Sequence, residues 1–148
     1  MSTLERAIEI AVQAHRGQRD RSGQPYILHP LRVMAQMESD AASIVAILHD
    51  VVEDNAQWSF ERLRAEGYDE QILAALDAVT RRKGEPYADF VARSEQNPLA
   101  VAVKLGDLRD NMDIRRLDAL GPAAVERLER YLAAYRRLSA VRDEHSGA

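Results

Sequence analysis

The chain has 148 residues, of which 46% are hydrophobic and 30% charged, so its composition predicts a single folded domain over residues 1–148 and excludes a disordered protein. It contains no cysteine, which excludes disulfides and thiolate metal sites and leaves imidazole and carboxylate as the available metal ligands. The net charge of −4, together with the lack of a signal-peptide pattern and of an apolar run long enough to span a membrane, favours a cytoplasmic protein that binds neither nucleic acid nor membranes.

Helical spacing of apolar residues begins close to the N-terminus. Ser2 and Glu5 form a capping-box pattern, which predicts a first helix that ends before a glycine-rich, charged loop over residues 17–25. Loops of this kind often carry binding residues. Pro30 suits the first position of a second helix, so we expect His29 at the entrance of that helix.

An almost wholly apolar segment follows, in which four ionisable residues are the only polar ones: His49, Asp50, Glu53 and Asp54. Uncompensated ionisable groups are expensive to bury, so these side chains are expected to be paired, hydrogen-bonded or bound to a metal. A third helix, capped by Ser39 or Asp40 and continuous to about Asn55, would stack His49 with Glu53 and Asp50 with Asp54. The His-Asp dipeptide alone is weak evidence, because roughly 0.6 such His-acid pairs are expected by chance in this composition.

Two short helices and a basic turn are predicted next. Ser59 and Asp69 are the expected N-caps of these helices. The turn contains Arg81, Arg82 and Lys83. Two interpretations of these three adjacent cations are open: a charged turn exposed to solvent, or a patch that binds phosphate.

A second set of polar residues lies within the helix predicted to begin at Asn97-Pro98. Lys104, Asp107 and Asn111 are spaced so that they share one face of it. Gly121-Pro122 opens a final helix whose apolar side packs in the core or docks a second subunit, which leaves a homo-oligomer open. No segment has a convincing strand pattern, so we predict an all-α bundle of about seven to nine helices.

The chemistry follows from the polar residues of three predicted helices. The candidate metal ligands are His29, His49, Asp50 and Asp107. Two imidazoles and two carboxylates suit a divalent ion such as Mn²⁺, Fe²⁺, Co²⁺ or Zn²⁺. Such an ion lowers the pKa of water and neutralises phosphoryl oxygens. Glu53 and Asp54, one helical turn further on, could orient or deprotonate that water.

Four motifs occur in a fixed order: Gly17-Gln18, SGQPYILHP over residues 22–30, HDVVED over residues 49–54 and VKLGDLRDNM over residues 103–112. They resemble the motifs of the HD-domain hydrolases of the Rel/Spo type, which remove the 3′-pyrophosphate of guanosine tetra- and pentaphosphate. The resemblance covers residues 4–138. It implies an all-α HD fold, a Mn²⁺ ion on the four candidate ligands, water activation by Glu53 and Asp54, and contact of Asn111 with the nucleotide sugar. The length of the chain is similar to that of the small, stand-alone hydrolases.

The sequence departs from the family pattern at three positions. Asp20 stands where the family usually has an Arg that contacts the guanine base, although Arg19 and Arg21 flank it. Gly106 and Asp110 replace the commoner Ala and His beside the candidate ligand Asp107. A carboxylate near the base would fit a different nucleotide equally well.

Three functions are therefore considered. The first is hydrolysis of the guanosine alarmones by a Mn²⁺-dependent enzyme, with Arg21, Lys104, Arg81 and Arg82 holding phosphates. The second keeps the metal chemistry but acts on another nucleotide, such as a nucleoside phosphate or NADPH. The third is a module that senses a nucleotide without turning it over.

Overall fold

This computed structural model describes residues 2–146, with side chains described for residues 2–144. Within that range the chain forms nine α-helices and one short 3₁₀ helix. The elements are α1 (Leu4–His15), α2 (Leu28–Ala35), α3 (Asp40–Leu48), α4 (Val51–Asp54), α5 (Phe60–Ala65), α6 (Glu70–Ala78), α7 (Tyr87–Ser94), α8 (Pro98–Asn111), the 3₁₀ helix (Ile114–Arg116) and α9 (Pro122–Ser146). Within residues 2–146, β-pairing is limited to an isolated bridge between Arg19 and Pro25. The predicted all-α class is therefore confirmed.

Three of these helices begin at the side-chain caps that the sequence predicts. Ser39, Ser59 and Asp69 each accept a hydrogen bond from the backbone N–H three residues further on, which satisfies one of the free donors of the first turn. The prediction for α1 is wrong by one residue. Thr3 caps this helix, while the hydroxyl of Ser2 donates to the backbone carbonyl of Glu66.

The entrance of α2 also differs from the prediction. The helix begins at Leu28, so Pro30 is its third residue instead of its first. His29 consequently lies inside the first turn, and its side chain is buried. An N–H group is still free of helical partners at this position, so proline is tolerated there.

The predicted continuous helix through residues 44–54 is interrupted at its two most polar residues. The helix α3 ends at Leu48, and the backbone N–H of His49 bonds to Ala46, only three residues earlier. Asp50 has φ −105° and ψ 0°, outside the helical region, before α4 begins. The predicted continuity of this helix is therefore wrong, although the backbone N–H of Asp54 still bonds to the carbonyl of Asp50, one turn earlier, at 2.9 Å. His49 is buried and Asp50 is half-buried, whereas Glu53 and Asp54 are exposed.

Two apolar clusters form the core, and α8 contributes to both. The larger cluster surrounds α3, whose Val45, Ile47 and Leu48 are fully buried. The smaller one contains Leu105 and Leu108 of α8 together with residues of α7 and α9. Because α3 and α8 are anchored on their apolar sides, the polar residues of both helices are held at fixed positions between the clusters.

A glycine allows α2 and α8 to approach closely. A Cβ atom at Gly106 would lie 2.9 Å from Met37 Cε and 3.3 Å from Val33 Cγ1. The amide of Gln36 also donates to the carbonyl of Gly106 at 3.2 Å. This contact brings the first turn of α2, which carries His29, against the middle of α8.

In the part of the chain that the structure describes, no helix combines the length and apolar character needed to cross a membrane.

Candidate metal centre

The four predicted ligands meet where the first turn of α2, the end of α3 and the middle of α8 converge. His29 Nε2 lies 2.9 Å from Asp107 Oδ1 and 3.9 Å from Asp50 Oδ2. His49 Nε2 lies 3.1 Å from Asp50 Oδ2 and 3.4 Å from Asp107 Oδ1. Donor atoms of His29, His49 and Asp50 all lie within 4.8 Å of one another. Residues from three helices thus present two nitrogens and two carboxylates to one point.

The hydrogen bonds of the two imidazoles fit a metal site. His49 Nδ1 donates to the carbonyl of Ala46, and His29 Nδ1 donates to Asp110 Oδ2 at 2.6 Å. Each Nδ1 proton is assigned from its acceptor, since a carbonyl or carboxylate oxygen can only accept. Both Nε2 atoms therefore face the cluster. His49 Nε2 is buried and makes no hydrogen bond of acceptable geometry, so once deprotonated it would offer its lone pair to a cation.

The charges of this cluster are strongly coupled. Burial works against the charged form of both imidazoles, but the neighbouring carboxylates outweigh it and raise the pKa of His29 and His49. Burial raises the pKa of Asp50 and Asp107, but the cationic groups beside them outweigh burial and lower both pKa values. These groups are His49 beside Asp50 and chiefly Lys104 beside Asp107. A metal ion would compete with protons for the imidazole lone pairs, so binding is expected to release protons.

Neighbouring side chains orient the carboxylates of the two candidate ligands Asp50 and Asp107. Lys104 Nζ donates to Asp107 Oδ2 at 2.9 Å, and Asn111 Nδ2 donates to Asp107 Oδ1 at 3.1 Å. The hydroxyl of Tyr26 donates to Asp50 Oδ2. Lys104 and Asn111, predicted to contact phosphate and sugar, thus lie beside the ligand Asp107 in this structure. Tyr26 was missed as a site residue, because its distance from Asp50 in sequence hides the contact.

Asp110 orients His29 from the opposite side. Its carboxylate, which is 6% exposed, accepts the Nδ1 proton of His29 and is paired with Arg32 at 2.7 Å and Arg116 at 2.9 Å. Arg116 also approaches Asp20 Oδ2 at 3.4 Å. Two of the three positions that depart from the family pattern, Asp20 and Asp110, therefore contact one guanidinium group.

Replacing Asp110 with Asn is expected to weaken Mn²⁺ binding by about 10- to 100-fold, because outer carboxylates align a ligating imidazole and increase its basicity. Isothermal titration with Mn²⁺ measures this directly. Asp118→Asn is the matched control, since Asp118 is exposed. Equal weakening in both variants would contradict an orienting role for Asp110.

A cavity of about 440 Å³, called here the main chamber, is lined by the four candidate metal ligands. Five cationic side chains line it: Arg21, Arg81, Lys104, Arg127 and Arg130. Glu53, Asp54 and Asn111 line it as well. Arg82 does not, since it faces a separate surface hollow and its Nη2 pairs with Asp77 at 3.4 Å. Lys83 of the same basic turn lines that hollow too, so the structure brings Arg21, Arg81 and Lys104 to the main chamber but neither Arg82 nor Lys83.

The two carboxylates of α4 are exposed on the wall of the main chamber. Partial desolvation raises the pKa of both, and the charge of Asp50 contributes in the same direction. A carboxylate with a raised pKa is a stronger base than usual, provided that it is deprotonated at the working pH. Glu53 and Asp54 are therefore suited to take a proton from water in this chamber.

A smaller cavity of about 290 Å³, called here the side chamber, adjoins the main chamber. The two share Arg21, Tyr26, His29, Asn111, Arg127 and Tyr131. Asp20 lines the side chamber, but its Oδ1 accepts the backbone N–H groups of Ser22 at 2.9 Å and Gln24 at 3.0 Å. This carboxylate is therefore largely engaged in holding its own loop.

Three residues of α9 that line the main chamber were missed by sequence reasoning. They are Arg127, Arg130 and Tyr131. Their spacing of three and four residues placed them on one helical face, which is a usable signal. The apolar stripe of α9 predicts a core or docking surface, and local sequence does not show which neighbour a helical face contacts.

Comparisons with known proteins show which family and which relatives this chain is similar to. A family model described as "HD domain" matches residues 7–143. The GTP pyrophosphokinase of Streptomyces coelicolor is 33% identical over 126 residues, covering 76% of this chain and 15% of its own length. The guanosine-3′,5′-bis(diphosphate) 3′-pyrophosphohydrolase of Aquifex aeolicus is 30% identical over 121 residues, covering 74% of this chain and 17% of its own length. The chain thus spans less than a fifth of these relatives.

Among solved structures, a metazoan ortholog of SpoT that is described as hydrolysing ppGpp has the same fold. The TM-score is 0.73 at 23% sequence identity, and the match covers 95% of this chain and 85% of the other. At this identity the likeness shows the fold alone.

Proposed function

This chain belongs to the HD domain family, and from that premise we propose that it is a Mn²⁺-dependent hydrolase that removes the 3′-pyrophosphate of guanosine tetra- or pentaphosphate. One observation carries the proposal. Two exposed carboxylates, Glu53 and Asp54, share a chamber with the four metal ligands and with five cationic side chains. The relatives described above, a pyrophosphohydrolase and a pyrophosphokinase, support the class of substrate.

His29, His49, Asp50 and Asp107 would hold the cation, which when bound neutralises phosphoryl oxygens and lowers the pKa of water. The surrounding residues keep these ligands in place. Asp110 fixes the ring of His29, and Lys104 and Asn111 fix the carboxylate of Asp107. A ligand set held in this way needs little rearrangement when the cation enters.

Glu53 and Asp54 provide the proton acceptor for hydrolysis. A water molecule attacks the phosphorus attached to the ribose 3′-oxygen and gives a proton to one of these carboxylates. A new P–O bond forms and the bond between phosphorus and the 3′-oxygen breaks. The departing oxygen takes up a proton from solvent at the open mouth of the chamber. The products are pyrophosphate and the nucleoside 5′-di- or triphosphate.

The two chambers divide the substrate between them in this proposal. The cationic wall of the main chamber holds phosphates near the metal ligands. The side chamber accommodates the nucleoside, since it joins the main chamber through Arg21, Tyr26 and Asn111. Arg21 lines both chambers, whereas the Asp20 carboxylate is engaged with its own loop. The neighbouring Arg21 is therefore the cation best placed to substitute for the family Arg.

Pyrophosphate release from guanosine tetraphosphate by the metal-stripped protein, with and without added Mn²⁺, tests the proposal. Release is expected only with Mn²⁺. A panel that includes nucleoside phosphates and NADPH belongs in the same assay, because Asp20 still lines the side chamber. Rapid cleavage of another nucleotide with no alarmone turnover would reject the guanosine alarmones as the substrate. Nucleotide binding without any turnover would reject the proposal that the protein is an enzyme.

A further inference from the structure

Three side chains form a hydrogen-bonded series from the buried end of α1, through Gln18 of the side chamber, to Asp54 of the main chamber. His15 is the last residue of α1 and is 2% exposed. Its Nδ1 lies 2.9 Å from Gln18 Oε1, and Gln18 Nε2 donates to Asp54 Oδ2 at 3.1 Å. We call His15, Gln18 and Asp54 the His15 relay. It connects the buried end of α1 to an exposed carboxylate of the chamber.

Only one arrangement of protons satisfies the His15 relay. An ionised Asp54 accepts hydrogen bonds and cannot donate, so the amide nitrogen of Gln18 must face it. The amide oxygen of Gln18 then faces His15 and requires a proton on His15 Nδ1. His15 Nε2 is left buried without a hydrogen-bond partner. An unpaired buried nitrogen costs free energy, so packing alone does not explain a histidine at this position.

The same end of α1 holds the neighbouring chamber residues by two further contacts. Asn55 Nδ2, directly after α4, donates to the carbonyl of Ala14 at 3.0 Å. The ring of Tyr26 lies 4.9 Å from the ring of His15, and its hydroxyl donates to the metal ligand Asp50. The end of α1 is therefore a platform on which α4 rests. A helix of four residues such as α4 is too short to fix its own side chains.

We propose that His15 and Gln18 are positioning residues that hold the Asp54 carboxylate in the direction needed to accept a proton from the attacking water. This inference rests on the proposed function. The two hydrogen bonds of the His15 relay lead to Asp54 and to none of the four candidate metal ligands, so His15 and Gln18 act on Asp54. Misplacing a catalytic group by about 1 Å can cost on the order of 10²-fold in rate. Loss of the His15 relay is therefore expected to lower kcat with little change in KM.

Gln18→Met and His15→Leu test the proposal with guanosine tetraphosphate as substrate and Mn²⁺ as the metal. Each variant is expected to lower kcat by about 10- to 100-fold, with the Mn²⁺ affinity within twofold of the wild type. His15 lines neither chamber, so the KM of His15→Leu should also stay within twofold, whereas Gln18 lines the side chamber and its KM is not used in the test. His15→Asn should restore kcat, because a carboxamide nitrogen can take the place of Nδ1 and donate to Gln18. A purely structural role for His15 would not be rescued in this way.

Gln24→Met is the matched control, since Gln24 is exposed in the same loop and lines neither chamber. The proposal is overturned if Gln18→Met leaves kcat unchanged, if Gln24→Met lowers kcat equally, or if the Mn²⁺ affinity falls in step with kcat. It is also overturned for His15 if the Asn variant behaves like the Leu variant.

A measurement that needs no turnover separates this inference from the proposed function. Nitrogen-15 NMR of the wild-type imidazoles, in buffer free of paramagnetic metal, should show the proton of His15 on Nδ1. That preference should disappear in Gln18→Met. A His15 protonated on Nε2 alone would overturn the relay. If the tautomer is as expected and the wild-type protein cleaves no nucleotide, the proposed function fails while the geometry of the relay stands.

Discussion

Asp107→Ala is expected to abolish Mn²⁺ binding and nucleotide hydrolysis together. Asp107 Oδ1 is the oxygen that approaches both His29 Nε2 and His49 Nε2, so its removal takes away the ligand that joins the two imidazoles. The change also leaves the ammonium group of Lys104, 11% exposed, without its carboxylate partner. A buried cation without a partner repels a metal ion and destabilises the fold by about 3 to 5 kcal/mol.

The loss of a ligand and the loss of an ion pair can be separated. Lys104→Met combined with Asp107→Ala removes both charges, so most of the stability is expected to return while Mn²⁺ binding does not. Thermal unfolding measures the stability, and isothermal titration measures the metal affinity. An Asp107→Ala protein that binds Mn²⁺ as the wild type does would exclude Asp107 as a ligand.

Contacts within one element were predictable from local spacing. The caps at Ser39, Ser59 and Asp69 follow from short sequence patterns that act on the first turn of a helix. The clustering of Lys104 and Asp107 on one face of α8 follows from helical periodicity. These features depend only on the nearest residues, so the sequence contains the information for them.

Features that depend on distant parts of the chain were not predictable in the same way. The break between α3 and α4 arises where His49 and Asp50 turn toward partners on α2 and α8, and helical periodicity alone favours continuity. The contact between Asp20 and Arg116 joins residues 96 positions apart. The sequence around Asp20 or Arg116 contains no local pattern that predicts this contact. The polar residues of the predicted helices, and then the family resemblance, pointed to the four candidate metal ligands, but neither predicted the contacts that Tyr26 and Asp110 make with them.

Glu53→Gln is expected to keep Mn²⁺ binding and to lower kcat by about 10²-fold or more, because the amide retains the shape of the side chain but accepts no proton from water. Glu53 is exposed and is not one of the four candidate ligands, so neither the metal affinity nor the fold depends on its charge. The unfolding free energy should change by less than about 0.5 kcal/mol, as for other exposed positions.

Steady-state kinetics and Mn²⁺ titration of Glu53→Gln, Asp54→Asn and the double variant show how the two carboxylates share the proton. Glu61→Gln is the control, since Glu61 is an exposed acid of α5 that lines neither chamber. If one carboxylate is the acceptor and the other only orients water, the double variant will be no slower than the slower single variant, because residues that act as a unit are not additive. A Glu53→Gln protein as active as the wild type would leave Asp54, held by the His15 relay, as the acceptor.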